Sequence, residues 1–335
     1  YTPNSKVVDG PVCIGNWCPQ NYGHSYSGSV TLTQAITRSI NVVPVKLSIA
    51  LGGKSPNPAK AGRVKITEVA RKFGLTAPLP DTPSMPIGSD EVTVLEHAVA
   101  YATFANKGKS VKPHAVLEVR TGTGDLVWRF DRDGKKPLQA IPASVAADMA
   151  WMMSHVVSEG TARRAALDGI PTAGKAGTAN GYRDAWFVGY TGNFTCAVWY
   201  GNDDYSPTNR MTGGSLPAQT WHDIMVVAHQ GVEVKEIPGV GMGKQPSPAV
   251  AAAAAANAPR ILETKPGPPP VLTRRGADIL VRVEKMLDDA GKAAAKTSAN
   301  DPSKQPPRPV TSGALAFPEN YIAAAGEPPA PQQKN

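Results

Sequence analysis

The chain has 335 residues, 41% of them hydrophobic, and a formal net charge of +8 from 35 Lys and Arg against 27 Asp and Glu. This length fits one or two domains, and 32 Gly with 32 Pro indicate that much of the chain forms turns or irregular structure. The sequence has no stretch of 18 apolar residues that would predict a membrane span, and its singly scattered basic residues argue against nucleic-acid binding.

The chain starts at Tyr1 with a loop-rich segment. Without Met or a signal peptide at this start, we expect a processed product or a piece of a longer protein. Cys13 and Cys18 lie close together in this loop, and their spacing is compatible with a local disulfide or with two free thiols. Cys196 falls in a strand pattern and is expected to be a small core residue.

Two short helices are predicted next. Thr31 and Gln34 have the spacing of a capping box, so a helix should begin after Thr31. Pro44 is tolerated only in a first turn, so a second helix should begin after Asn41 and end at Gly52-Gly53. Ser39, Ile40 and Asn41 would then form the turn between the helices and point outward.

A core helix, a hairpin and another helix follow. Thr93 and Glu96 form a second capping box, and the stripe after it consists of Leu95, Val99, Ala102 and Ala105. Residues 116–120 and 126–130 flank a Gly-rich turn and predict a β-hairpin. The next helix should carry Val145, Met149, Met152 and Val156 on one face.

Three strands and a last helix complete the predicted domain. The strands are expected at residues 172–179, 185–190 and 194–200, and the helix at about 217–230. Consecutive hairpins with helices before and after them predict an α+β fold in which an antiparallel sheet is covered by helices.

The composition changes at Pro238. The 97 residues from Gly239 to Asn335 contain 20 Ala and 15 Pro, too little apolar surface to offset the entropy of ordering. We therefore expect one domain over residues 1–237 and a low-complexity tail over 238–335, with one amphipathic helix near 273–295.

Lys175 is the most unusual residue of the predicted domain. It stands among small residues in the strand Ala173-Gly-Lys-Ala-Gly-Thr178, where glycines allow another backbone to approach. We expect a ligand along this strand, faced by Lys175 and the hydroxyl of Thr178. The alternative is an edge lysine that prevents aggregation.

Ser39 and Asn41 are ambiguous by themselves, since Ser and Asn at helix junctions are usually caps. Their order before Lys175 gives them a second interpretation. Penicillin-binding proteins and class A β-lactamases combine a Ser-x-x-Lys nucleophile with a Ser-Asp-Asn and a Lys-Thr-Gly motif. Ser39-x-Asn41 and Lys175-x-Gly177-Thr178 fit the second and third motifs.

Residues 1–231 resemble the transpeptidase domain of bacterial class A penicillin-binding proteins, bifunctional enzymes that polymerise and cross-link peptidoglycan. The resemblance rests on six strings in the family's order. They are Asp9-Gly-Pro11 with Trp17-x-Pro-x-Asn21, Gly28-x-Val-Thr-Leu32 leading to Ser39-x-Asn41, Ala100-Tyr-Ala-x-Phe-Ala-Asn106, Tyr182-Arg-Asp-Ala-Trp-Phe-Val-Gly-Tyr-Thr191, Trp199-x-Gly-Asn-Asp203 and Met211-Thr-Gly-Gly-Ser215.

The resemblance implies the penicillin-binding fold and acyl transfer from the D-Ala-D-Ala end of one stem peptide to the amine of another. Ser39 would relay a proton, Asn41 would bind the substrate amide, and Lys175 would supply positive charge. Ala176, Gly177 and Thr178 would bind the substrate carboxylate and form part of the oxyanion hole.

The resemblance also implies partners and location. Stem peptides and β-lactams would bind, without a cofactor, a metal or nucleic acid. The parent protein would act at the periplasmic face of the bacterial inner membrane, held there only by an N-terminal anchor that precedes an upstream glycosyltransferase domain, and neither is in this chain.

Two features depart from the family. No Ser-x-x-Lys occurs in the 335 residues, so we expect this chain alone to be inactive. Ala176 replaces the threonine of Lys-Thr-Gly. If Thr178 does not compensate, losing a charge-assisted hydrogen bond worth about 1.5 to 3 kcal/mol weakens that contact about tenfold to hundredfold. The alternative function is a degenerate, non-catalytic module that binds stem peptides in the cell wall.

Overall fold

The structure, a computed structural model, describes residues 1–241. The predicted tail helix near 273–295 and almost all of the predicted 238–335 tail lie outside the described residues. Within residues 1–241, no helix is long and apolar enough to cross a membrane.

The chain begins with a small antiparallel sheet that the sequence analysis treated as loop. Strand β1 (Lys6–Asp9) pairs with β2 (Gly28–Thr31), and the loop between them contains a disulfide from Cys13 to Cys18. Both strands have only four residues and are buried irregularly, so they lack the alternating pattern that identifies a longer strand.

Helices α1 (Leu32–Thr37) and α2 (Val42–Gly52) confirm the two short helices. Thr31 and Gln34 form the predicted reciprocal capping box, and Pro44 lies in the first turn of α2. The prediction that the intervening turn points outward was wrong for Ile40, which is 7% exposed and packs with Val30 and Val43. Burying an apolar side chain between two short helices is favourable in free energy, and leaving the same side chain in solvent offers no compensating gain.

The sequence analysis missed helix α3 (Pro58–Lys72). Asn57 caps it and Pro58 occupies its first turn, both typical of a helix start. Helices α2 and α3 approach so closely that a Cβ on Gly62 would lie 1.7 Å from the carbonyl oxygen of Ser48. The buried residues of α3 are Ala59, Gly62 and Arg63, so the helix has no stripe of large apolar side chains by which the sequence would identify it.

Helix α4 (Val94–Ala105) begins with the predicted capping box at Thr93. Its buried residues are Val99, Ala100 and Thr103, whereas Leu95 is 63% exposed, so placing Leu95 in the stripe was wrong. Leu95 belongs to the first turn of the helix, whereas the buried residues begin at Val99.

The predicted hairpin is formed by β3 (Glu118–Arg120) and β4 (Leu126–Arg129), followed by the short α5 (Phe130–Asp133). Helix α6 (Ala143–Ser158) buries Met152 and Val156 as predicted. Val145 was wrongly placed on the core face and is exposed, because the buried stripe starts one position later at Ala146.

The main sheet contains the three predicted strands in the order β5 (Ala173–Thr178), β6 (Asp184–Tyr190) and β7 (Thr195–Gly201), all antiparallel. Helix α7 (Leu216–Ala228) packs on one face, where Trp221 meets Phe187 edge to face. The ring of His97 in α4 contacts Trp186, the neighbour of Phe187 in the strand, on the other face. The half-buried Cys196 packs against the core as predicted, and the α+β prediction is confirmed.

Candidate active site

Strand β5 forms one edge of the main sheet. Within residues 1–241, no other strand pairs with its outer edge. The N–H of Ala179 donates to the carbonyl of Asp184 in the β6 direction at 2.9 Å. Because N–H groups alternate in direction along an antiparallel strand, the N–H of Thr178 points to the free edge. A ligand lying along β5 therefore meets unpaired backbone groups there.

The structure brings together Lys175 and Ser39, which are 136 positions apart. The Nζ of Lys175 donates to the Oγ of Ser39 at 2.8 Å and to the carbonyl of Ala176 at 2.7 Å. Burial lowers the pKa of Lys175 from 10.5 to about 8, so the side chain remains mostly protonated at neutral pH. An ammonium group turned toward Ser39 does not protect the sheet edge, which argues against the aggregation-blocking interpretation.

Ser39 itself has a left-handed backbone conformation, with φ at +56°. This conformation is uncommon for a residue other than glycine, and it lies in the tight turn between α1 and α2. The turn orients the hydroxyl of Ser39 toward β5, where Lys175 donates to it. Such outliers are concentrated at functional sites.

Asn41 occupies the N-cap position of α2, but its side chain does not cap the helix. Its Nδ2 instead donates to the carbonyl of Gln20 at 3.0 Å. The backbone N–H groups of Asn41 and Val42 both donate to Oδ1 of Asn21, at 3.1 and 3.3 Å. The side chain of Asn21 thus takes the place of the missing cap and fixes the turn that carries Ser39 and Asn41.

Asn21 is held in turn by Asp9. The Nδ2 of Asn21 donates to Oδ1 of Asp9 at 2.8 Å and to the carbonyl of Ser25 at 2.9 Å. Asp9 is 2% exposed, and its Oδ2 accepts the N–H of Ser27 at 2.7 Å. The sequence analysis gave neither residue a role, although Asp9 and Asn21 both occur in the strings that carry the family resemblance.

Ala176, Gly177 and Thr178 continue the edge strand beyond Lys175. The methyl group of Ala176 packs against the core cluster around Phe187. The hydroxyl of Thr178 accepts the N–H of Gly213 at 3.0 Å, and Gly213 lies so close to Gly177 that a Cβ on it would be 2.4 Å from the carbonyl oxygen of Gly177. Lys175 and Thr178 are three positions apart, which directs their side chains to opposite faces of a regular strand, so the expectation that both face one ligand requires a ligand at the free edge of β5, where side chains of both faces can reach it.

The arrangement combines a cation, a hydroxyl, an amide and a free backbone N–H along one edge. These groups can bind a carboxylate, orient an amide, stabilise a developing oxyanion and pass a proton. The roles predicted for Ser39, Asn41, Lys175, Ala176, Gly177 and Thr178 stay predictions, because geometry alone does not assign them.

Comparisons with known proteins identify relatives for most of the described residues. The penicillin binding protein transpeptidase domain family matches residues 1–226. Penicillin-binding protein 1A of Neisseria meningitidis is 34% identical over 256 residues, covering 70% of this chain and 30% of the relative. Penicillin-binding protein 1B of Haemophilus influenzae is 32% identical over 230 residues, covering 66% and 28%. The chain spans about 30% of the length of such curated relatives.

Solved structures share the fold at lower identity. The PonA1 protein of Mycobacterium tuberculosis in complex with penicillin V has a TM-score of 0.59 and 23% identity, covering 74% of this chain and 70% of that one. Penicillin-binding protein 1A of Haemophilus influenzae has a TM-score of 0.56 and 17% identity, covering 73% and 43%. These likenesses support the penicillin-binding fold.

Proposed function

The chain belongs to the transpeptidase family of class A penicillin-binding proteins, and on this basis we propose that it forms part of a D,D-transpeptidase that cross-links peptidoglycan and binds penicillin. The observation that carries the proposal is the 2.8 Å contact between Lys175 Nζ and Ser39 Oγ. It joins the second and third motif positions across 136 residues, which is the arrangement that acyl transfer by a serine enzyme needs.

In the proposed mechanism, Lys175 supplies positive charge to the carboxylate of the D-Ala-D-Ala end. Ser39 relays to the leaving amine of D-Ala the proton that the nucleophilic serine loses when its oxygen attacks the carbonyl. Asn41 presents its side-chain amide to the substrate backbone. The proposed charge on Lys175 is supported by its pKa of about 8, and the placement of Asn41 by the buried Asp9 and the half-buried Asn21.

The edge of β5 would hold the reacting carbonyl. The free N–H of Thr178 supplies one donor of the oxyanion hole, and Gly177 lets the substrate backbone approach. Ala176 lacks the hydroxyl usual at its position, so its contribution is limited to its carbonyl, which already accepts from Lys175. The hydroxyl of Thr178 binds the substrate carboxylate in addition to the N–H of Gly213.

The nucleophilic serine and its lysine would come from a segment outside these 335 residues, because no Ser-x-x-Lys occurs among them. The chain alone would therefore form no acyl-enzyme. The stem peptides would be both the acyl donor and the amine acceptor, and the site would lie at the periplasmic face of the inner membrane. The proposed steps use only side chains and backbone groups and need no cofactor.

Ala176 and the absent Ser-x-x-Lys also favour a second candidate, a non-catalytic module that binds stem peptides in the cell wall. The complete reading frame distinguishes the two functions. A Ser-x-x-Lys in the complete gene supports the enzyme, whereas a complete gene without this motif supports the binding module.

The enzymatic proposal is tested by measuring D-Ala release from a stem pentapeptide with the protein encoded by the complete reading frame. Lys175→Met removes the charge, and we expect D-Ala release to fall about 100-fold or more. Lys112→Met, at an exposed position, should leave the rate unchanged. Equal rates for the wild type and Lys175→Met would exclude the proposed role of Lys175.

A further inference from the structure

A second contact joins the same two parts of the molecule that Lys175 and Ser39 join. The hydroxyl of Tyr22, in the loop that holds Asn41, lies 2.8 Å from the hydroxyl of Tyr182, in the turn after β5. We call Tyr22 and Tyr182 the tyrosine clamp. The two residues are 160 positions apart, so their contact depends on the fold and not on local sequence.

Tyr22 is coupled to the site through its backbone. It follows Asn21, whose side chain accepts from the N–H groups of Asn41 and Val42 and donates to Asp9. Its own side chain is 73% exposed, so its ring contributes little to the core.

Tyr182 is fixed on the opposite side of the site. Its carbonyl accepts from the N–H of Thr208 at 2.8 Å and from the hydroxyl of Thr208 at 2.5 Å. Its φ of +57° lies in the left-handed region that favours glycine, yet the position carries a tyrosine. The backbone is therefore held by its neighbours in a conformation that directs the phenol at Tyr22.

The hydrogen bond from Tyr22 and the guanidinium group of Arg210 lower the pKa of Tyr182, whereas the same hydrogen bond raises the pKa of Tyr22. Either hydroxyl can be the donor of the bond between them, because a phenol both donates and accepts.

The clamp lies beyond the far end of β5 from Lys175. Thr178 is three positions after Lys175, a rise of about 10 Å along the strand, and Tyr182 is four positions after Thr178. A ligand along the free edge thus runs from the Lys175–Ser39 contact toward the clamp. The two C-terminal residues of an extended peptide span about 7 Å. If the ligand's C-terminal carboxylate lies near Lys175, these two residues extend along β5, and the part of the ligand that precedes them lies toward the clamp.

We propose that Tyr22 and Tyr182 are positioning residues that close this end of the cleft and hydrogen-bond the acyl chain preceding the reacting carbonyl. The inference rests on the proposed transpeptidase function. Each phenol can both donate and accept, so the pair matches an amide group, which carries one donor and one acceptor. The ligand class is an N-acylated donor, which includes a longer stem peptide and a penicillin with an acylamino side chain.

The test compares two β-lactams on the protein encoded by the complete reading frame. Penicillin V has an acylamino side chain, the group that the proposal places at the clamp, and 6-aminopenicillanic acid has only a free amine. We expect Tyr22→Phe and Tyr182→Phe each to lower the second-order acylation rate of penicillin V about threefold to tenfold, with no change for 6-aminopenicillanic acid. The double variant should lose at least as much as either single variant, because it removes both hydroxyls that contact the amide, and the combined loss should differ from the sum of the single losses because the two residues share a hydrogen bond.

Tyr26→Phe is the matched control, because Tyr26 is a 42% exposed tyrosine of the same loop and is not part of the clamp. It should leave both rates unchanged. Equal losses with both β-lactams, no loss with either, or faster acylation by penicillin V would each overturn the clamp. A wild-type protein that neither compound acylates would instead overturn the proposed function, and the clamp with it.

Discussion

At the scale of single residues, Lys175 has an unusual environment for a lysine. Its ammonium group lies between the hydroxyl of Ser39 and the carbonyl of Ala176, and the described contacts include no carboxylate partner. Burial without a counter-charge favours the neutral form, which explains the pKa of about 8. A carboxylate ligand would supply the missing charge and raise this pKa again.

This pKa predicts how stability depends on pH. Between pH 8 and the ordinary value of 10.5, the unfolded chain binds more protons at Lys175 than the folded chain, so this residue makes stability rise with pH in that window. We expect the free energy of unfolding of the wild type to increase relative to that of Lys175→Met from pH 8 to 10.5, as measured by urea denaturation. A constant difference across this range would show that Lys175 titrates normally.

Asn21 offers a second prediction at the residue scale. Asn21→Ala removes the partner of Asp9 and leaves the N–H groups of Asn41 and Val42 without their acceptor. We expect a loss of about 1 to 3 kcal/mol in the free energy of unfolding, because buried polar groups lose their hydrogen bonds. Asn4→Ala, at an exposed position, is the control in the same urea titration, and equal stabilities of the two variants would contradict this role.

The sequence predicted the candidate site only in part. Ser39, Asn41 and Lys175 were recognisable because their residue types and order match known motifs. The supporting contacts of Asp9 and Asn21 and the pairing of Tyr22 with Tyr182 were not, because they join distant segments with common residue types. Ala176 was interpreted only as a missing hydroxyl. Its packing against the core was not predicted, because β5 has few large side chains and so gives no pattern that identifies its buried face.

At the scale of secondary structure elements, the loop before α7 is packed directly against β5. A Cβ on Gly213 would lie 2.0 Å from the carbonyl oxygen of Trp186 and 2.4 Å from that of Gly177. Only glycine allows this approach, and it brings the N–H of Gly213 to the hydroxyl of Thr178. The loop thereby fixes the end of β5 where the free N–H of Thr178 lies.

Gly213→Ala should therefore destabilise the protein by about 1 to 3 kcal/mol, because the added methyl group displaces backbone rather than a flexible side chain. The measurement is the free energy of unfolding. Gly122→Ala is the matched control, since a Cβ on Gly122 meets no atom within 4 Å. Equal free energies of unfolding for the two variants would show that the loop containing Gly213 can move away from β5 without loss of stability.

The elements that the sequence predicted well are those with strong local rules. Helices α1 and α4 begin with the capping boxes predicted at Thr31 and Thr93, and the three strands of the main sheet lie where they were expected, within a few residues. Helix α3 and the pair of β1 and β2 were missed because their stability comes from neighbours. Helix α3 depends on glycine contacts with α2, and β1 depends on pairing with a strand about 20 residues later.

At the scale of the whole molecule, the described residues form the sheet, its covering helices and the segment that carries Ser39 and Asn41. Three buried clusters hold these parts together, and one of them links α6, β5 and β6 through Met153, Ala173 and Tyr190. The chain spans about 30% of the length of its curated relatives. The proposed function therefore assigns this chain the second and third motifs and leaves the nucleophile to residues outside it.

The most direct test is intact-mass spectrometry after incubation with penicillin V. The 335-residue chain should gain no mass, because it contains no Ser-x-x-Lys, whereas the protein encoded by the complete reading frame should gain the mass of one penicillin. A covalent adduct on the 335-residue chain, or none on the complete protein, would contradict the account.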